Sequence, residues 1–103
     1  MDQQDRRKQL HEQLVALCEG AHIYFQPPSN VQMIYPAIRY RLLRIDKTFA
    51  DNVTFMKDYV YELILIDRNP DSPYVDLIAD LPKCIFNRFY IAENLNHWVF
   101  ILY

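Results

Sequence analysis

The chain has 103 residues, with 11 Lys and Arg against 13 Asp and Glu, a formal charge of -2 and one glycine. This balance supplies no electrostatic footprint for a dedicated nucleic-acid or anionic-membrane binder, which is normally markedly basic. The lone Gly20 excludes the Walker and dinucleotide phosphate cradles, each of which needs several residues without a side chain. A chain of this length is expected to form a single domain, residues 1–103, with a radius of gyration of ~13 Å and a core that stands without staples.

The first residues read MDQQDRRKQLHEQ, without the apolar centre of a signal peptide, and no apolar run approaches the ~20 residues of a membrane helix. A cytosol-like site of synthesis is therefore expected, with Cys18 and Cys84 reduced and buried as small hydrophobes.

In residues 3–19, Leu10, Leu14, Leu17 and Cys18 recur at helical spacing and Gly20 follows where a cap belongs, which predicts an opening helix. Residues 22–26, short, aromatic and closed by Pro27-Pro28, read as a brief strand or extended lead-in. Residues 35–46 alternate Ile38, Tyr40 and Leu42 with Arg39 and Arg41, the period of a strand with one wet face. Residues 56–68 form a second strong strand whose latter half, LILI, is apolar on both faces. That pattern fits a central strand covered twice, or one covered once and meeting a partner subunit. Between these strands, residues 47–55 read as a long loop carrying Phe49, Val53 and Phe55, apolar residues that need a partner.

Asn69-Pro70-Asp71-Ser72-Pro73 stops the second strand and starts a short helix over residues 72–81, with Asp71 or Ser72 as the cap and Pro82 as the stop. Residues 84–92 and 97–103, rich in Ile, Phe, Tyr and Trp and separated by residues 93–96, read as a closing hairpin. The fold class is thus α+β: a mainly antiparallel sheet of about four to five strands, backed by an N-terminal and a second short helix, in the order α-β-β-β-α-β-β.

No catalytic, cofactor or metal constellation emerges from the residues. Glu62 with Asp67 or Asp71 could be imagined as a metal-dependent nuclease site, but Glu62 is followed by the apolar run LILI and no lysine. Strand ends and helix caps account for these carboxylates. His11 reads as solvated, and His97, beside Trp98, as a packed residue with one hydrogen bond. Tyr35, Tyr40, Tyr59 and Tyr61, interleaved with Arg39, Arg41 and Arg44, resemble a surface for stacking single-stranded bases, although arginines on a wet strand face are more often solvated or paired with carboxylates. A double-stranded-RNA-binding domain is excluded by charge, because Asp71, Asp76 and Asp80 on the second helix would repel phosphates. With 51% hydrophobic residues, the chain is expected to bury part of its surface against another chain.

From Tyr35 onward, about two-thirds of the chain resembles a family of small virion proteins at the head-tail junction of long-tailed bacteriophages. The residues that carry the resemblance are YPAIRY at 35–40, Ala50-Asp51-Asn52, Ile66-Asp67 with Pro70-Asp71-Ser72, Leu81-Pro82 with Cys84, Phe86 and Arg88, and Asn94-Leu95-Asn96-His97 with Phe100 and Tyr103. Asn87 departs from the aspartate expected there, and the first 34 residues carry no motif of the family.

The resemblance implies a tail-terminator or tail-completion protein. Such subunits form a ring, usually of six, that caps the tail tube and presents a docking face to the head connector, with DNA only passing through the lumen. No enzyme activity, cofactor, small-molecule substrate or membrane is implied. Within that reading the expected subunit contact is Phe49, Val53 and Phe55 against a neighbour's sheet, with Arg39 and Arg41 supplying charge pairing. A head-completion or adaptor protein of the neck is the alternative in the same setting, and a single-strand nucleic-acid-binding module the alternative of another class.

Overall fold

The structure, a computed structural model, describes residues 2–103, with the side chain of Phe55 outside the description. Asp2 opens helix α1 (Gln3–Leu17) by accepting the backbone N–H of Asp5 at 2.9 Å, which satisfies one of the orphan donors at the helix start. Leu10 and Leu14 are fully buried, each stabilising the fold by about 2 kcal/mol through burial. The helix ends two residues short of the expected 19, where Cys18 leaves helical geometry and Gly20 takes a φ of +92°.

Strand β1 (His22–Phe25) follows, then β2 (Ala37–Ala50), β3 (Val53–Asp67), helix α2 (Tyr74–Ala79), β4 (Cys84–Ala92) and β5 (Leu95–Leu102). The strands form one sheet in the order β1-β2-β3-β5-β4. All pairings are antiparallel except β1 with β2, so the fold is α+β with a mixed, mostly antiparallel sheet. The parallel pair arises because residues 26–36 carry the chain back across the sheet instead of turning it. Strand β2 begins at Ala37 rather than residue 35, since Pro36 has no N–H for a ladder; its carbonyl instead accepts from His22 at 2.9 Å.

The two faces of the sheet are covered differently. On one, Ile38, Tyr40, Tyr61, Leu63, Leu65, Trp98 and Phe100 pack beneath α1 and α2, through Leu10, Leu14, Cys18, Ile78 and Leu81. On the other, Ile64, Ile66 and Val99 lie beneath Met33 and Tyr35 of the crossover, with Tyr90 and Leu95. The two-sided apolar half of β3 is therefore covered twice within its own chain.

The largest departure from expectation is the stretch over residues 47–55, which is no loop. Strands β2 and β3 continue through it and reverse at Asp51-Asn52, whose φ values of 53° and 62° place both residues in the left-handed region. Two such residues make the primed turn whose twist matches a hairpin, and Asp and Asn tolerate it best after glycine. The paired strands project as an arm, giving extents of 51 × 25 × 25 Å and a radius of gyration of 14.8 Å, above the value expected for a compact chain. Glu93-Asn94 repeats the device with φ of 54° and 63°, so β5 starts at Leu95 and not at 97. Helix α2 is shorter than the 72–81 expected. Asp71 is held in a turn by the Asn69 side chain at 2.9 Å, and the Ser72 hydroxyl accepts from Tyr74 N–H at 3.4 Å without serving as the helix cap.

Two side chains tie the helical layer together. Tyr74 of α2 donates its hydroxyl to the Glu19 carbonyl at 2.7 Å, and the Tyr74 hydroxyl oxygen lies 2.9 Å from where a Cβ on Gly20 would stand. Gly20→Ala therefore meets both a positive φ and a displaced Tyr74, and thermal denaturation should read a loss of about 2 kcal/mol. Tyr40 and Tyr61 are both buried, but only the Tyr40 hydroxyl has a partner, His11 Nδ1 at 2.7 Å. Tyr40→Phe should cost about 1 kcal/mol, and Tyr61→Phe should be neutral or stabilising because it removes a hydroxyl that is desolvated without compensation.

Candidate functional site

Every residue expected at the subunit contact lies on β2 or β3. Phe49 and Val53 sit near the tip of the arm and are 64% and 68% exposed. Ile45 and Met56, lower on the arm, are also largely exposed. The side chain of Phe55, expected beside them, lies outside the described residues. Phe49 and Val53 are exposed, on an ordered hairpin rather than on the expected loop.

Arg39 and Arg41 point away from the helices. They line an open cleft of about 360 Å³ with Gln26, Pro27, Glu62 and Ile64, at the base of the arm rather than its tip. Arg41 donates from Nε to Glu62 Oε1 at 3.0 Å, across the β2–β3 register. Its charge is thus paired within the chain, by a contact that contributes ~0.5 kcal/mol at such exposure. Phe49 and Val53 are not brought together with the two arginines: they are separated by Arg44, which binds Asp46 at 3.0 Å and lies over the Tyr103 ring at 5.5 Å.

Strand β4, expected as half of a closing hairpin, exposes a second apolar surface. Ile85, Phe86, Phe89 and Ile91 are each between 46% and 66% exposed. Its position at the sheet edge is the reason, since no strand among the described residues pairs with it on the outer side. On the helical face, Phe86 meets Phe100 at 5.6 Å between ring centroids and Phe89 meets Trp98 at 5.5 Å. The aromatics of β4 thus extend the core outward into solvent. The mixture FNRFYI over residues 86–91 could have signalled this, because apolar residues there do not keep the strict alternation of a strand with one wet face.

The tyrosine pattern dissolves in three dimensions. Tyr40 and Tyr61 are only 1% and 0% exposed beneath α1, with Arg6 lying over the Tyr61 ring at 5.9 Å, so neither can stack a base. His11, expected to be solvated, is half-buried through its bond to Tyr40. The carboxylates also do not converge. Glu62 and Asp67 are an odd number of residues apart on β3 and face opposite sides of the sheet, and Asp67 is occupied in accepting from Asn69 N–H at 3.1 Å. Burial pushes the Cys18 thiol up to about 11, which leaves it protonated and unreactive at neutral pH.

No helix among the described residues is long and apolar enough to cross a membrane. No protein-family model matches the chain, and no curated protein matches it.

His97 is buried, stacked on Tyr90 at 4.5 Å, and bonded through Nδ1 to the Leu95 carbonyl at 3.0 Å. Desolvation lowers its pKa below 6.5, with Arg39 adding to the effect while the Leu95 bond and Glu93 oppose it. The unfolded chain therefore takes up this proton at a higher pH than the folded chain does. The corresponding stability is fully present above about pH 6.5 and declines as the pH falls through the folded value. Melting temperatures followed from pH 7.5 to 5 should fall, and should fall less in His97→Phe.

Proposed function

We propose that this chain is a structural virion protein, a tail-terminator or tail-completion subunit whose ring caps the tail tube and joins it to the head connector. One observation carries the reading: the chain exposes two apolar surfaces, on the arm and on β4, that lie on different parts of the sheet and do not cover each other. Surfaces of this kind join copies head to tail, and head-to-tail contacts make a ring when the rotation closes. The resemblance over the C-terminal two-thirds supports the same assignment. An arm that projects from a body about 25 Å across can reach a neighbour without deforming the core.

The role is mechanical. A ring seated on the last layer of tube covers the surface on which further subunits would add, and its opposite face offers the neck a different set of contacts. DNA meets the ring only as it passes through the lumen.

Imaging of purified particles carrying a tag or antibody against this chain is the decisive test. Label at the head-tail junction is expected, and its absence from virions overturns the reading. If the label remains with isolated heads after tails are removed, the chain is a neck adaptor instead. Phe49→Asp with Val53→Asp should leave the fold intact and abolish the assembled mass measured by light scattering; an unchanged mass would remove the arm from the interface.

A further inference from the structure

The arm carries its charges in an order that a free hairpin disfavours. Its register sets Lys47 directly opposite Lys57, and Asp46 opposite Asp58. Like charges facing each other across an antiparallel pair are destabilising. Asp46 is relieved by Arg44, but among the described residues neither lysine has a carboxylate within ion-pair distance. Paired residues share a face of the sheet, and alternation from Tyr59, which packs against the helical core, places Lys57 and Lys47 on the helical face. Ile45 and Phe49 alternate with Lys47 on β2 and share that face. One face of the arm is thus apolar with a pair of unpaired cations.

The opposite character occurs at the far edge of the same sheet. There α2 packs beside β4 on the helical face and exposes Asp76, Leu77 and Asp80, with no basic residue in the helix. Beside it run Phe86, Phe89 and Ile91 of β4, an apolar stripe next to the carboxylates of Asp76 and Asp80, which have no ion-pair partner among the described residues. Both surfaces are exposed, and they are complementary in charge and alike in apolar content.

We infer that the helical face of one subunit's arm docks on the α2–β4 surface of the next copy of this chain, with Lys47 and Lys57 facing Asp76 and Asp80. The inference rests on the ring reading and names its contact. Docking uses the face and not backbone pairing along the β4 edge, because that edge is interrupted by a bulge between Phe86 and Arg88, which breaks the regular row of donors and acceptors. Arg39 and Arg41 lie on the other face of the sheet and take no part.

Charge exchange tests the contact. Lys47→Glu with Lys57→Glu reverses the arm, and Asp76→Lys with Asp80→Lys reverses the acceptor. Each reversed chain alone should self-associate about 100-fold more weakly than the unmodified chain in sedimentation velocity, since like charges then meet across the interface. An equimolar mixture of the two should recover assembly, because every arm again meets an acceptor of opposite sign. Asp76→Asn with Asp80→Asn, which leaves the helix uncharged there, should give an intermediate loss. Reversed chains that assemble like the unmodified one, or a mixture that recovers nothing, would overturn this contact while leaving the ring and its place in the virion standing. An unmodified chain that stays monomeric at millimolar concentration would overturn docking between copies, and particle labelling would then decide the functional reading by itself.

Discussion

The structure depends on the register of the β2–β3 hairpin. The two-residue turn at Asp51-Asn52 fixes which residues face each other along the whole pair, from Ala50 opposite Val53 at the tip to Ala37 opposite Ile66 at the base. Side chains alternate between faces, so a slip of β2 by one residue would carry Ile38 and Tyr40 out of the helical core and bring Arg39 and Arg41 in. Two irregularities, at Leu42/Arg44 and Thr48/Phe49, adjust the twist without losing that order. The turn chemistry, the core and the direction of the arm are one constraint seen at three distances from the tip.

Because the central strands are longer than the sheet around them, the hairpin has two regimes. Its base is buried on both faces, under helices on one side and under the crossover of residues 26–36 on the other. Its outer half has only one neighbouring strand and exposes both faces, leaving Phe49 and Val53 in solvent. Strand β4 is exposed for a different reason. It closes the sheet at the edge opposite β1, with α2 packed beside it. Both places leave apolar side chains in solvent, and the proposed docking between copies would cover them.

The elements themselves were legible because their signals are local. Helical spacing of Leu10 and Leu14, alternation around Arg39 and Arg41, and Asn and Pro clusters all act over a few residues, and each element appears close to where these signals put it. The turn at Asp51-Asn52 is equally local, but it lacks the glycine that usually marks a tight hairpin, so the apolar stretch around it reads as a loop. Tyr40, Tyr61 and the arginines misled in another way. Alternation showed that tyrosines and arginines lie on opposite faces, but not which face the helix would cover. Arg41 likewise found its partner only when the register brought Glu62 across from it.

The sequence by itself determined the class of fold, the apolar surplus and the uncovered character of Phe49 and Val53, because composition and short-range periodicity are properties of the chain alone. Tertiary structure decided everything that requires two distant segments to meet: the parallel pairing of β1, the burial of the tyrosines, the exposure of β4, and the alignment of lysine with lysine along the arm. A residue's neighbours across a sheet follow from strand order and register, and neither is written in the spacing of one strand.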